Sequence, residues 1–480
     1  MTPVRYGDLL GILAPETILE VVSLLILFVD LGFLRSAATA TRMRVASLLG
    51  AAGAVVAILW LMTHAGAASV MGGALVADRM VAAAQASVLA LTALVLLLGL
   101  RSRFSRNPGE YVALVLLATT GMMLVAAARD LLLIFVALEL LSLSLYVLAA
   151  FAKFSASSSE AALKYYLFGG ISAAFMLFGF SYLYGIAGTT YLPEIAAKLG
   201  QTPLAPITLV AMALVAVGLG FKVAAVPFHL WAPDAYYGAP APVAALIASG
   251  SKVASFAVLI AVTAALAPTW GWTLTLIVMA AASIVVGNLS ALVQTSVRRI
   301  LACSAIAHAG YMLLGIAAHT EASNRAVMIY AITYALTTVG AFGVVAIVER
   351  SAGTDRLDAF AGLSAQRPLV AAALLVFLLS LAGIPPLVGF WVKFQLFAAV
   401  LGAPGASGWA LAMVIVAIAG SAVSLYYYLQ VLKRAYVTAA TTDRIVQVSG
   451  FEQILLAAIA VAVVILGVAP GLMTGFFTAF

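Results

Sequence analysis

The chain has 480 residues, of which 65% are hydrophobic and only 9% are charged. An average soluble domain has about 25% charged residues, so this composition, with a mean hydropathy of +1.18, excludes a soluble globular protein and indicates an all-α polytopic membrane protein. The net charge of +7 does not indicate a nucleic-acid partner, because the basic residues lie in short loops between apolar segments.

Apolar segments long enough to cross a bilayer follow one another along the whole chain. A spanning helix needs roughly 20 mostly apolar residues, and this rule predicts fourteen spans. The first carries Glu16, Glu20 and Asp30 and has no small-residue cleavage pattern after it, so it is interpreted as a membrane helix and not as a signal peptide. The predicted spans are 12–34, 45–63, 80–100, 111–128, 131–152, 160–187, 204–228, 240–266, 270–293, 299–318, 323–348, 368–402, 408–434 and 452–475.

Lysine and arginine are distributed unequally between the loops that join these spans. The loops after odd-numbered spans hold fifteen of them, whereas the loops after even-numbered spans hold four and the N-terminal tail holds Arg5. The positive-inside rule therefore places the odd loops in the cytoplasm and both termini on the non-cytoplasmic side. The fifteen are Arg35, Arg42, Arg44, Arg101, Arg103, Arg106, Lys153, Arg298, Arg299, Arg350, Arg356, Arg367, Lys433, Arg434 and Arg444.

Five charged residues fall inside the predicted spans: Glu139, Lys164, Lys222, Lys252 and Lys393. Each charge at mid-membrane costs roughly 2.5–3.5 kcal/mol, so five unpaired charges would cost on the order of 12–17 kcal/mol. They are therefore expected to face the bundle interior, to pair, or to contact water. A lysine held between desolvation and a nearby carboxylate can exchange a proton near neutral pH, which an arginine cannot do.

Two of the predicted spans are interrupted by prolines close to such a lysine. Span seven reads GLGFKVAAVPFHLWAPDAYYGAP, with Pro227 after Lys222, and span twelve reads LAGIPPLVGFWVKF, with Pro385 and Pro386 before Lys393. Irregular backbone at membrane depth is tolerated only where it is buried in protein or lines a wet cavity. Paired breaks in two halves of a chain are typical of transporters built from inverted repeats, with the functional site at the breaks.

Other polar residues in the spans extend this candidate site. Glu139 shares a helical face with Ser142 and Tyr146 and is the expected counter-charge for Lys222. Lys252 lies mid-span among small residues, which favours a proton-relay role.

Three further residues have two interpretations each. Lys164 lies near the start of its span and either takes part in the relay or extends its ammonium group to the membrane surface. His229 and His308 either relay protons or are structural hydrogen-bonding residues.

Several other classes of site are excluded by the sequence. The single cysteine, Cys303, excludes a disulfide framework and a cysteine metal site, and no phosphate loop, dinucleotide fingerprint or haem attachment motif occurs. We therefore expect no metal, cofactor or redox centre on this chain. The tyrosines of SLYYYLQ, Tyr426 to Tyr428, are interpreted first as an interfacial aromatic belt, with a proton exit path as the alternative.

A weak internal similarity suggests two halves. LSLSLYVL at 141–148 aligns with IAHAGYMLL from 306 onward, which matches Tyr146 to Tyr311 and suggests that spans four to eight and nine to thirteen are repeats. The predicted divisions are 1–110 (spans one to three), 111–268 (first repeat), 269–435 (second repeat) and 436–480 (span fourteen).

In combination, five stretches resemble the antiporter-like subunits of respiratory complex I over nearly the whole chain. They are ALELLSLSLYVL, EAALKYYLFG, GFKVAAVPFHLWAPDAYYGAP, VRRILACSAIAHAGYMLLG and SLAGIPPLVGFWVKF. The resemblance implies fourteen helices with two inverted five-helix repeats and broken helices seven and twelve. It also implies that Glu139, Lys222, Lys252 and Lys393 form the central proton path, with Lys164 at a secondary site.

Within that family the N type of the bacterial proton-translocating NADH:quinone oxidoreductase fits best. The M type has a glutamate where this chain has Lys393, and the L type continues after the core, whereas this chain stops at Phe480. The resemblance implies a subunit of the bacterial inner membrane whose partners are another antiporter-like subunit, small membrane subunits and lipid. FMN, iron–sulfur clusters and quinone would be held on or near other subunits.

Three functions remain open at this point. The first is a proton channel coupled to electron transfer elsewhere in the complex. The second is a cation/proton antiporter, either a stand-alone protein that exchanges sodium for protons or a subunit of a multisubunit antiporter or membrane-bound hydrogenase. A lysine-rich row with one carboxylate favours protons over sodium, which prefers oxygen ligands. The third is a structural spacer, which the buried lysines disfavour because a spacer would be more stable without them.

Overall fold

The computed structural model describes residues 9, 11–64, 66, 68–201, 205–266, 269–405, 407–440 and 445–479. Arg5 and Arg444, which contributed to the predicted charge asymmetry, lie outside these described residues. The fold is a bundle of α-helices with one short β-hairpin, so the predicted all-α membrane class is confirmed.

The helices follow one another with short connections. In chain order they are α1 (Ala14–Gly32), α2 (Thr39–Thr63), α3 (Arg79–Leu98), α4 (Pro108–Ala127), α5 (Leu131–Ala149), α6 (Ala156–Ala187), α7 (Leu192–Leu199), α8 (Pro206–Val223), α9 (Trp231–Gly238), α10 (Ala241–Ala248), α11 (Gly250–Leu266), α12 (Trp270–Leu292), α13 (Val297–Ala317), α14 (Glu321–Ala352), α15 (Leu363–Gln366), α16 (Pro368–Ala382), α17 (Val388–Leu401), α18 (Ser407–Tyr436), α19 (Gly450–Val468) and α20 (Gly471–Ala479).

Twelve helices in the described part of the chain are long and apolar enough to cross a membrane. Two predicted spans fall outside this set for physical reasons. Helix α1 carries Glu16, Glu20 and Asp30, and predicted span twelve is divided into the shorter helices α16 and α17. Each of the fourteen predicted spans overlaps a helix, while the count of fourteen crossings and the two inverted repeats stay predictions.

The predicted breaks in spans seven and twelve are present. Helix α8 ends at Val223, four residues before Pro227, and residues 224–230 are not helical. Helix α16 ends at Ala382, and Leu387 precedes the start of α17. Predicted span eight, 240–266, agrees with the candidate span Ala241–Leu266. Within it the backbone leaves the helical region at Ser249, which separates α10 from α11.

Side-chain caps fix where several helices begin. Asp78 accepts a hydrogen bond from the Val81 N–H at the start of α3, and Asp130 accepts one from the Leu132 N–H at the start of α5. Such caps supply acceptors for N–H groups that have no partner within the helix. The segment before α3 forms an antiparallel hairpin of β1 (Ala68–Val70) and β2 (Leu75–Ala77), in which Ser69 faces Val76.

The chain forms two compact units. One contains the residues up to Val223 together with Gly238–Thr275, and the other contains Ala224–Tyr237 and Leu276–Thr474. The second unit includes α13, in which all residues except the partly exposed Arg299 are buried. These units divide the chain differently from the predicted segments 1–110, 111–268, 269–435 and 436–480, which stay predictions.

Candidate functional site

Lys222 lies at the end of α8 and is almost completely buried. Its ammonium group donates a hydrogen bond to Oγ of Ser142 on α5, and the Ser142 hydroxyl donates to the Leu138 carbonyl. Glu139 lies one turn before Ser142 on α5, and its charge attracts that of Lys222. The structure therefore brings Glu139 and Lys222 to one site, with Ser142 as the direct hydrogen-bond partner of the lysine.

The Glu139 carboxylate has unused hydrogen-bonding capacity. Its Oε1 is buried and has no hydrogen-bond partner among the described residues. A buried acceptor of this kind is costly to leave unpaired. Glu139 is therefore free to attract a donor or a proton, which is the property that a relay requires.

Lys252 lies in the first turn of α11 and is 1% exposed. Its Nζ donates to the carbonyl of Val223, the last residue of α8, at 2.9 Å. In a continuous helix this carbonyl would accept from the backbone N–H of residue 227, but Pro227 has no N–H. Lys252 therefore contacts a carbonyl oxygen that the proline leaves without its usual donor.

Lys393 on α17 makes the same kind of contact at the second break. It is 5% exposed, and its Nζ donates to the carbonyls of Leu381 and Ala382 at 2.9 and 3.0 Å. These are the carbonyls that residues 385 and 386 would serve in a continuous helix, and both residues are prolines. A third bond runs from Nζ to Oγ of Ser421 on α18 at 2.8 Å.

The spacing between proline and freed carbonyl is therefore the shared feature of the two breaks. Hydrogen bonds from a charged donor contribute about 1.5–3 kcal/mol each, enough to offset much of the cost of placing a lysine in the membrane. Irregular backbone at these breaks was expected either to be buried in protein or to line a wet cavity, and the structure shows that the lysines contact its carbonyls directly. The pattern Pro at i with a carbonyl at i−4 was available in the sequence, but the lysine that serves it comes from another turn or another helix.

Glycines allow α16 and α17 to approach each other at this break. Gly383 has a φ of +88°, and a Cβ atom there would lie 3.0 Å from Cδ of Lys393. At Gly389 a Cβ atom would lie 1.7 Å from the Ser380 carbonyl oxygen. Any side chain at Gly389 would therefore push α16 and α17 apart and disturb the hydrogen bonds that Lys393 makes between them.

His308 is buried on α13, and its Nδ1 lies 2.9 Å from the hydroxyl of Tyr330 on α14. Its ring also packs against Tyr334, with centroids 4.8 Å apart. The ring of Tyr311, one turn after His308, lies 5.3 Å from Nζ of Lys393. His308 thus lies in a buried polar and aromatic cluster, where both of its predicted roles, relay and structural, remain compatible with the contacts.

The tyrosines near the end of α18 do not form an aromatic belt, so that interpretation is wrong for two of them. Tyr427 and Tyr428 are 2% and 0% exposed, whereas Tyr426 is 59% exposed. Tyr427 donates to Oδ1 of Asn288 at 3.1 Å, and Tyr428 is hydrogen-bonded to Ser304. Three successive residues on a helix point in different directions, so a run of tyrosines cannot occupy one face.

The two remaining candidates lie in more open positions. The Lys164 side chain is 38% exposed, and its Nζ lies 2.6 Å from Glu160 Oε1, one turn earlier on α6. His229 lies in the non-helical segment between α8 and α9 and is partly buried, and its Nδ1 has no hydrogen-bond partner among the described residues. Lys164 is thus paired with a carboxylate on its own helix.

The interior holds buried lysines and carboxylates and, among the described residues, no clustered metal ligands. The described residues contain no group of three or more His, Cys, Asp or Glu side chains that could hold a metal ion. Lys222, Lys252 and Lys393 are instead buried among hydroxyl groups, backbone carbonyls and aromatic rings. Such groups bind and release protons, and the chemistry that this arrangement supports best is proton transfer.

Comparison with known proteins gives the family. The family model described as NADH:quinone oxidoreductase/Mrp antiporter, TM matches residues 128–422, which is more than half of the chain. NADH-quinone oxidoreductase subunit N 2 of Acidobacterium capsulatum is 47% identical, and the match covers 98% of this chain and 99% of that protein.

Two further relatives extend this result. F(420)H(2) dehydrogenase subunit N of Methanosarcina mazei is 44% identical over 69% of each chain. A chain in the structure of respiratory complex I from Thermus thermophilus with bound aureothin is 34% identical and superposes with a TM-score of 0.82, covering 97% of this chain and 99% of that one. The chain therefore belongs to the NADH:quinone oxidoreductase/Mrp antiporter family of transmembrane proteins, in the group of NADH-quinone oxidoreductase subunit N.

Proposed function

We propose that this chain is a proton-translocating subunit in the membrane arm of a bacterial NADH:quinone oxidoreductase. Electrons pass from NADH to quinone in other subunits, which hold the FMN, the iron–sulfur clusters and the quinone. This chain has no redox centre and acts as the translocase part of the complex. It lies in the cell inner membrane with both termini on the non-cytoplasmic side, and its partners are another antiporter-like subunit, small membrane subunits and lipid.

The proposed path uses Glu139, Lys222, Lys252 and Lys393. A change of charge at the Glu139–Lys222 site alters the proton affinity of Lys252 and then of Lys393, because charges interact strongly where water is scarce. Lys164, His229 and His308 are proposed as secondary groups.

One observation carries this proposal: two buried lysines donate to carbonyls at proline breaks within the apolar helices. A spacer would be more stable without these charges.

The second function, exchange of sodium for protons by a multisubunit antiporter, shares this family. Sodium is held by oxygen ligands, most often carboxylates and carbonyls. In the described structure the carbonyls at both breaks are already occupied by lysine ammonium groups, which repel a cation. The geometry therefore supports protons as the transported species.

The test uses inverted membrane vesicles that carry Lys222→Met, with Lys198→Met on the exposed face of α7 as the matched control. After a native gel confirms assembly, NADH oxidation, quinone reduction and vesicle acidification are followed together, with and without sodium. We expect the variant to acidify less per NADH oxidised, whereas the control behaves as the wild type.

Two outcomes would overturn the proposal. Acidification at the wild-type ratio in the Lys222→Met variant would favour the spacer. Acidification that depends on sodium in the wild type would favour the antiporter.

A further inference from the structure

A cavity lies in the first compact unit, and none of the four central charges lines it. It has a volume of about 370 Å³ and is bordered by α1, α2, α3 and the β-hairpin. Most of its lining is apolar, with a few polar or aromatic side chains: Glu16, Trp60, His64, Asp78 and Gln85. Cavities of roughly 300–1,000 Å³ with this mixture are typical of small-ligand sites.

Glu16 is the buried polar group of this cavity. It lies in the first turn of α1 and is 4% exposed. Its Oε1 accepts a hydrogen bond from Nε2 of Gln85 at 2.9 Å, while its Oε2 is buried and has no partner among the described residues. Gln85 is fixed in turn by a bond from its Nε2 to the Met123 carbonyl at 3.3 Å. One oxygen of the Glu16 carboxylate therefore has no hydrogen-bond donor among the described residues, and a ligand with an N–H or O–H group could donate to it.

The charges of the lining define the kind of ligand. Two carboxylates, Glu16 and Asp78, line the cavity, and its lining within the described residues includes no lysine or arginine. At the edge of the cavity, Oδ2 of Asp78 lies 4.0 Å from Nη2 of Arg129. Trp60 adds an aromatic ring, which stacks on His64 with centroids 3.9 Å apart. A carboxylate beside an aromatic ring favours an organic ammonium group, which combines N–H donors with a positive charge that is attracted to the ring.

The position of the cavity in the bundle agrees with this chemistry. Glu16 begins α1, Trp60 lies in the last turn of α2, and Asp78 caps α3. In the predicted topology these helix ends coincide with the ends of spans one to three, the level at which tryptophan is enriched. Head groups of lipids occupy the same level.

We propose that this cavity binds a primary alkylammonium group, with Glu16 as its counter-ion and Trp60 beside it. The ammonium comes either from the head group of an aminolipid or from a free amine, and the two sources share the same chemistry at the site. The site is independent of the proton path, because none of its residues belongs to that path.

The first experiment measures binding of radiolabelled ethanolamine to the purified complex in detergent. The variant is Glu16→Gln, which keeps an oxygen to accept from Gln85, and the matched control is Glu20→Gln on the exposed face of α1. We expect saturable binding in the wild type and the control, and affinity lowered by at least about tenfold in the variant, as for loss of a charge-assisted hydrogen bond. If the complex with Glu16→Gln fails to assemble, ethanolamine binding is measured on a Trp60→Leu variant instead.

The second experiment distinguishes the sources. The complex is placed in nanodiscs of phosphatidylethanolamine and phosphatidylglycerol, and bound lipid is counted by native mass spectrometry. Retention of phosphatidylethanolamine by the wild type and its loss in Glu16→Gln, without binding of ethanolamine, would identify an aminolipid. If neither ethanolamine nor phosphatidylethanolamine distinguishes the wild type from Glu16→Gln and Trp60→Leu, the proposal is wrong.

Discussion

Replacing Lys393 by methionine tests whether this lysine serves the fold or the proton path. Methionine has a similar length but no charge and no donor. The change removes three hydrogen bonds, to the carbonyls of Leu381 and Ala382 and to the hydroxyl of Ser421. The Ser421 hydroxyl still donates to the Ala382 carbonyl at 3.0 Å, so the Leu381 carbonyl is the acceptor left without this donor.

The expected change in stability follows from two opposing terms. Leaving a buried carbonyl without a donor costs about 1–3 kcal/mol. Removing a charged lysine from the middle of the membrane returns roughly 2.5–3.5 kcal/mol. The net change lies between a loss of about 0.5 and a gain of about 2.5 kcal/mol in the free energy of unfolding, so the complex should assemble.

Proton translocation, in contrast, should be lost at this site. In inverted vesicles we expect Lys393→Met to acidify less per NADH oxidised than the wild type, while Phe394→Met, on the exposed side of α17, behaves normally. Lys393→Arg should keep the charge but not the function, because a guanidinium group does not release its proton. Normal acidification in the arginine variant would refute the reasoning, and so would failure of the methionine variant to assemble.

Three further predictions use the same vesicle assay or thermal unfolding of the purified complex. Ser142→Ala removes the hydroxyl that contacts Lys222 and should slow acidification, whereas Ser144→Ala, on the same helix, should not. Equal effects of the two substitutions would show that Ser142 acts only through helix packing. Ser421→Ala should slow proton release without preventing assembly, and Ser421→Thr should restore the rate, since threonine keeps the hydroxyl. Gly383→Ala forces a side chain into a left-handed conformation and should cost about 1–2 kcal/mol, seen as a lower Tm, while Gly185→Ala, with open space around it, should not lower the Tm.

The sequence was sufficient to predict the class of fold and the positions at which spans seven and twelve are broken. Apolar length is a direct physical requirement of the bilayer, and Pro227, Pro385 and Pro386 remove backbone donors wherever they occur. The break at Ser249 was not predicted, because no proline marks it and a serine between apolar residues is common in a continuous helix.

The partners of the charged residues could not be predicted in the same way. Glu139 was expected to be the counter-charge of Lys222, and its charge does act on that lysine. The direct hydrogen-bond partner, Ser142, was not predicted, since the choice between two acceptors one turn apart depends on how two helices pack. Ser421 lies far along the chain from Lys393, so no spacing rule connects them. Burial of Tyr427 likewise depends on which face of α18 meets its neighbours.

The contacts of Lys393 also bear on how much the protein must move when a proton leaves. A neutral amine has two N–H groups and one lone pair, so it can keep both bonds to the Leu381 and Ala382 carbonyls. The lone pair then accepts from the Ser421 hydroxyl, which turns away from the Ala382 carbonyl to reach it. All three neighbours stay within bonding distance in both charge states. At this position the rearrangement that accompanies proton transfer reduces to the rotation of one hydroxyl hydrogen, and the two short helices keep their positions while the charge changes.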